Sequence, residues 1–182
     1  MVIWMTGLSG AGKTTLTDAL LKRFKPALPH LVRLDGDEIR ALFGQSLSYR
    51  EDDRYEQINR IQKMASILDS QGLIVLVAAL YAHPDLLRWN RKNFSDYFEV
   101  YLDAPLELVQ ERDAKGLYAK AEKGEMPHVV GIDVPWHTPE NADLVVDATQ
   151  GDTPDQIAET VARRVPVLAS VMDNVAAKGV VA

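Results

Sequence analysis

Gly7-Leu8-Ser9-Gly10-Ala11-Gly12-Lys13-Thr14 fits the pattern G-x-x-x-x-G-K-[ST] at every fixed position and directly follows the apolar run Val2-Ile3-Trp4-Met5. A strand before and an amphipathic helix after are the setting in which this pattern forms a phosphate-binding loop. Glycines let the loop turn its N–H groups inward around a phosphate, Lys13 neutralises the outer phosphates, and the Thr14 hydroxyl is offered to Mg²⁺. The helix starting at Lys13 adds its positive end to the same anion. A nucleoside triphosphate is therefore expected on Gly7, Leu8, Ser9, Gly10, Ala11, Gly12, Lys13, Thr14 and Thr15.

The remainder of the chain alternates in a way that suits this loop. Strands are expected at 2–6, 31–35, 73–79, 98–102 and 144–147. Helices are expected at 13–24, 37–43, 52–71, near 84–93, 105–113 and 153–165. The runs Leu73–Ala79 and Phe98–Leu102 are short, apolar and rich in β-branched or aromatic residues, as in strands buried on both faces of a parallel sheet. The expected fold is a doubly wound α/β sheet of the P-loop NTPase class, helices on both faces, in a single kinase domain spanning residues 1–182. The stretch after 113 is polar, with Lys and Gly, to about 140, and the tail after Pro166 is compatible with either a helix or a loose end.

Composition excludes several alternatives. With no cysteine, thiolate metal sites, disulfides and cysteine nucleophiles are ruled out. A net charge of −6 argues against a broad nucleic-acid-binding face. No basic leader or long apolar run opens the chain, so no membrane partner and a cytoplasmic location are expected. The sequence does not fix the oligomeric state; a homodimer is compatible with it. His83, His128 and His137 lack metal-ligand spacing and read as loop or surface residues.

A second informative stretch is Leu34-Asp35-Gly36-Asp37-Glu38-Ile39-Arg40, just past the carboxyl end of a predicted strand, the edge at which such sheets bind ligands. Asp35 or Asp37 can hold the Mg²⁺ shell or take a proton from an attacking hydroxyl, and Arg40 can pair with an anion on the acceptor. Asp37 could equally serve as the N-cap of the next helix. The arginines beyond this point, including Arg54, Arg91 and Arg112, could overlook the loop or form a solvated face.

Together these residues resemble the adenylylsulfate kinase family, P-loop kinases that phosphorylate the ribose 3′-hydroxyl of adenosine 5′-phosphosulfate. The resemblance runs from Val2 to about Asp147. Beyond the loop it rests on Leu34–Asp37 with Arg40, Asp53-Arg54, Glu99–Glu107, Arg112-Asp113, Lys115-Gly116-Leu117-Tyr118, Gly131-Ile132-Asp133 and Pro139-Glu140-Asn141. It implies ATP and Mg²⁺ as cofactors, with Thr14 and Asp35 toward the metal, and a small nucleotide as acceptor. Lys13, Asp35, Asp37, Arg112 and Lys115 would carry catalysis, with residues 112–131 as the lid. Asp37, Arg40, Tyr49, Arg54, Gln57, Lys115, Gly116 and Leu117 would hold the acceptor.

The departures from the family cluster on the acceptor side. Where the family has Phe-Ile-Ser-Pro-Tyr-Arg, this chain has Ala79-Leu80-Tyr81-Ala82-His83-Pro84, so a phosphoserine route is closed and direct in-line transfer is left. Arg91 is the expected replacement for the arginine lost at Pro84. Tyr49 is the aromatic platform for the base, and Val129 stands where a phenylalanine would complete the clamp. Similar departures occur in relatives that resemble this family but serve capsule polysaccharide synthesis, such as cytidine diphosphoramidate kinase. A nucleotide-binding regulatory subunit without turnover is the reading from another class, and the joint retention of Lys13, Thr14, Asp35 and Asp37 opposes it.

Lys13→Ala is expected to reduce phosphoryl transfer by more than about 100-fold while leaving the melting temperature unchanged, because the ammonium stabilises transition-state charge and packs little core. Steady-state turnover beside a thermal melt checks both halves of that expectation.

Overall fold

The computed structural model describes residues 1–44, 46–113 and 116–177, with side chains described as far as residue 173. Five strands form one fully parallel sheet in the order β2-β3-β1-β4-β5: β1 Val2–Thr6, β2 Leu31–Asp35, β3 Ile74–Ala78, β4 Tyr97–Asp103 and β5 Leu144–Asp147. Every residue of β1 and β3 is buried, as the unbroken apolar runs require of central strands in a parallel sheet. Helices α1 (Lys13–Phe24), α7 (Pro154–Arg164) and α8 (Pro166–Ala177) pack together, and α2 (Gly36–Leu42), α3 (Glu51–Ser70) and α4 (Pro84–Asn93) form a second group. Two short helices, α5 (Leu106–Arg112) and α6 (Leu117–Glu122), follow β4.

All five strands were expected, and the ends agree to within a residue or so. The tail after Pro166 is helical, and Leu168, fully buried, pins it to the core. Helix α6 lies inside the stretch expected to be a polar lid without regular structure. Its six residues are too few for hydrophobic periodicity to show.

Parallel pairing places the carboxyl ends of β1, β2, β3 and β4 along one edge, because each crossover helix returns the chain to the opposite edge. Register fixes the neighbours there: Asp35 lies opposite Ala78, and Thr6 opposite Tyr101. The backbone of Gly7, at φ 152°, passes so close to β4 that a Cβ there would stand 2.7 Å from the Leu102 carbonyl oxygen. Glycine is thus required at this position for the loop to leave β1 against β4.

The expectation that Arg91 replaces the acceptor-side arginine is overturned. Its guanidinium donates to Asp143 at 3.2 Å and to the Asn141 carbonyl at 2.6 Å, lies 3.6 Å from the Glu99 carboxylate and covers the Tyr97 ring at 5.1 Å. The reason is electrostatic: Glu99 is 2% exposed on β4, burial pushes its carboxyl pKa up, and Arg91 is the cation that offsets it. Two helical turns along α4 carry Arg91 away from the ligand edge rather than back to it. Arg91→Ala should therefore lower the free energy of unfolding by about 1–2 kcal/mol, a figure tempered by the arginine's partial exposure, and leave the acceptor KM unchanged. Denaturant titration and steady-state kinetics of the one variant measure the two effects.

Candidate active site

The loop leaving β1 turns through glycines in the left-handed region, Gly10 at φ 81° and Gly12 at φ 100°. Gly12 caps α1 without a side-chain hydrogen bond, and no acidic residue lies in the first turn, so the helix presents its positive end with nothing anionic of its own. Lys13 Nζ donates to the Gly7 and Leu8 carbonyls at 2.8 and 2.7 Å, which holds the ammonium across the mouth of the loop. Arg112, at the end of α5, reaches the same loop from the other side. Its donors lie 3.5 Å from Gly10 O and 3.3 Å from Ala148 O.

Thr14 and Asp35 meet where the first turn of α1 passes the end of β2. The Thr14 hydroxyl donates to Asp35 Oδ2 at 2.7 Å. The other carboxylate oxygen accepts from the backbone N–H of Asp37 and of Glu38, at 2.9 and 3.4 Å. Asp35, not Asp37, is consequently the N-cap of α2, a correction to the capping alternative raised above. The cap residue has an extended backbone, which the last residue of a strand already has, and the helix then begins immediately. A hydroxyl and a carboxylate side by side are hard oxygen donors of the kind Mg²⁺ prefers. Among the described residues no cluster of three or more metal-ligating side chains occurs, so any Mg²⁺ here would keep most of its shell from water and phosphate.

Beyond α2 opens a cavity of about 910 Å³, large enough for a nucleotide. It brings together Ser9 from the loop, Asp37 and Arg40 from α2, Tyr49, Arg54 and Gln57 from the start of α3 and the turn before it, and Leu117 from α6. All seven were expected site residues. Tyr81, Lys120, Met126 and Val130 also line it and were not. Gly116, the left-handed N-cap of α6, sits at the rim residue's neighbour rather than in the lining, and Lys115 lies outside the described residues.

The charged groups lining the cavity are the cations Arg40, Arg54 and Lys120 and the Asp37 carboxylate. Arg40 donates to the Leu47 and Ser48 carbonyls at 3.1 and 2.9 Å, and Arg54 to the Tyr49 and His128 carbonyls at 2.8 and 2.6 Å. Main-chain oxygens orient both forks without neutralising them. Burial, and then the like charge of Arg40, lower the pKa of Arg54, although a guanidinium stays charged regardless. Both Cζ atoms lie over the Tyr49 ring, at 4.8 and 5.4 Å from its centroid. Tyr49, expected as the aromatic platform for the base, lines the cavity, with its ring engaged by the two arginines. Val129, 1% exposed, is outside the lining, and the adjacent Val130 lines the cavity.

On the β3 side, Tyr81 is 3% exposed and donates its hydroxyl to Glu51 Oε1 at 2.6 Å. Burial and the Glu51 carboxylate push the phenol pKa well above its usual value, so the proton stays on the oxygen and the hydroxyl stays on Glu51. Around it the rings of His83 and His137 stack edge to face, 5.1 Å apart. Aromatic packing thus fills the side of the cavity where the family's serine and arginine would stand.

Residues 1–147 match the family model for adenylylsulphate kinase. The chain belongs to the adenylylsulphate kinase family. It is an ATP-dependent kinase that transfers a phosphoryl group to a hydroxyl. A probable adenylyl-sulfate kinase from Synechocystis is 42% identical over 144 residues, 79% of this chain and 81% of that protein. The adenylyl-sulfate kinase of Paraburkholderia xenovorans is also 42% identical, over 80% of this chain and 82% of its own length. The cytidine diphosphoramidate kinase of Campylobacter jejuni is 38% identical over 80% of this chain and 85% of its length. In three dimensions the APS kinase of Mycobacterium tuberculosis, solved with AMPPNP and APS, superposes with a TM-score of 0.82 at 34% identity, covering 90% of this chain and 95% of that one. Shikimate kinase from Aquifex aeolicus, at 18% identity and a TM-score of 0.57 over 98% of this chain and 99% of its own, shares the fold with this adenylylsulphate kinase family member.

The two aspartates should separate in their effects. Asp35→Ala removes both a helix cap and the Thr14 acceptor, and is expected to lower stability by about 1 kcal/mol as well as turnover. Asp37→Asn is expected to lower kcat by about 10²-fold or more with no change in melting temperature. Full turnover of Asp37→Asn at saturating substrates would remove it from the chemistry.

Proposed function

We propose that this kinase phosphorylates the ribose 3′-hydroxyl of adenosine 5′-phosphosulfate, with Mg²⁺ carried by ATP and placed beside Thr14 and Asp35. One observation carries the reading: Asp37 and two arginines oriented by main-chain carbonyls share a nucleotide-sized cavity with Ser9 of the phosphate loop. Adenylyl-sulfate kinases among its relatives and the APS-bound structural neighbour support the choice of acceptor.

The steps follow from the residues. The triphosphate lies on the loop from Gly7 to Thr15, its outer charge met by Lys13 and the α1 terminus. Bound Mg²⁺ would neutralise phosphate charge. Arg40 and Arg54 grip the anionic end of the acceptor, since guanidinium forks match sulfate or phosphate oxygens. Asp37 accepts the proton of the ribose hydroxyl as its oxygen bonds to the γ-phosphorus, the bond to the β,γ-bridging oxygen breaks, and ADP leaves. Arg112, already over Gly10, and Lys115 add positive charge where the transferring group spreads its negative charge, and lid residues exclude water.

A second reading has its own support. The cavity wall is aliphatic at Val130 and filled by Tyr81 where the family has serine, and a cytidine diphosphoramidate kinase is among the relatives. Turnover with ATP should be measured in parallel against adenosine 5′-phosphosulfate and cytidine diphosphoramidate. The proposal expects kcat/KM for the adenosine acceptor to be at least about ten-fold higher, a difference of roughly 1.4 kcal/mol in transition-state binding. The reverse ratio would establish the cytidine reading in its place.

A further inference from the structure

Helix α6 faces both substrates at once. Leu117 and Lys120, three residues apart and so on one side of the helix, line the acceptor cavity. Tyr118, between them, is 2% exposed and turns to the phosphate loop, where its hydroxyl donates to the Ser9 carbonyl at 3.0 Å. Ser9 itself lines the same cavity. A buried phenol thus bridges 109 residues of sequence to join the acceptor side to the nucleotide side.

The start of the helix is braced from within its own segment. Asp113 accepts from the backbone N–H groups of Tyr118 and Ala119, at 3.1 and 3.0 Å, and so carries the first turn of the helix. Gly116, at φ 61°, precedes α6 and Gly124, at φ 72°, follows it, and at both a Cβ would meet open space. Left-handed glycines in open surroundings are where a chain can pivot with least steric resistance. Burial and the nearby Asp113 charge push the Tyr118 phenol up to about 12, so it remains a donor throughout the neutral range.

We propose that Tyr118 is a positioning residue that couples the two substrates: the placement of α6 suited to an occupied acceptor cavity is the one in which its hydroxyl holds the Ser9 carbonyl and fixes the phosphate loop. Each substrate then tightens the other by the same factor, as linkage requires. The inference rests on the reading of the 910 Å³ cavity as the acceptor site. A single neutral buried hydrogen bond shifts an equilibrium by a factor of about 2 to 12, which sets the size of the effect.

The test is equilibrium binding by calorimetry. The Kd of AMPPNP is measured alone and with saturating adenosine 5′-phosphosulfate, the Kd of that acceptor with and without AMPPNP, and the whole set is repeated for Tyr118→Phe. The wild-type enzyme is expected to show mutual tightening of about five-fold or more, equal in both directions. Tyr118→Phe keeps the ring and its packing, and is expected to reduce that coupling factor at least three-fold whatever happens to either ligand alone. A general loosening of the fold would weaken single-ligand binding and leave the ratio unchanged, and that result would overturn the proposal. So would a wild-type coupling factor of one. If the cavity takes up neither this acceptor nor cytidine diphosphoramidate, the acceptor reading itself fails and the coupling falls with it; acceptor binding with an unaltered ratio in Tyr118→Phe defeats the coupling alone.

Discussion

The Asp35 carboxylate joins the two halves of this site. One oxygen holds the Thr14 hydroxyl at the first turn of α1, and the other accepts the N–H groups that open α2. The nucleotide helix and the helix carrying Asp37 and Arg40 are therefore referenced to a single group, 5% exposed, at the end of β2. Such a group can be satisfied in that position only because parallel pairing sets β2 in register with β3, and β3 with β1, along the ligand edge. Sheet order, helix cap and ligand geometry are one constraint seen at three scales.

Much of this was legible in the residues. The phosphate loop, the five strands and the cluster around Asp35 and Asp37 follow from glycine spacing, apolar runs and the position of acids after a strand, all of which are local. Arg40 was read from its place after a strand and Arg54, Gln57 and Leu117 from the family resemblance, and all four line one cavity. What was not legible depends on contacts between distant segments. Arg91 could be placed only by knowing that Glu99 is buried and that Asp143, just before β5, adjoins it. Tyr49 could be seen as an aromatic but not as one engaged by two guanidinium groups from separate helices. Whether Asp35 or Asp37 caps α2 turned on where the strand ends, and a shift of one or two residues there is beyond what sequence pattern resolves.

The acceptor side is where this chain departs most from the family pattern, and the structure gives the departures a common form. A tyrosine occupies the serine position and commits its hydroxyl to Glu51, two histidines pack around it, and the displaced arginine is not restored from α4. On the proposed reading, Arg40 and Arg54, both oriented by main-chain carbonyls, meet the acceptor's anion.

On the proposed reading the acceptor hydroxyl attacks the γ-phosphorus directly, with no phosphoryl group resting on the protein between ATP and product. The stereochemical course at phosphorus tests this most directly. With ATP made chiral at the γ-phosphorus by oxygen isotopes, a single in-line displacement predicts inversion of configuration in the product. Retention would mean two displacements and a phosphorylated enzyme, and would contradict the account.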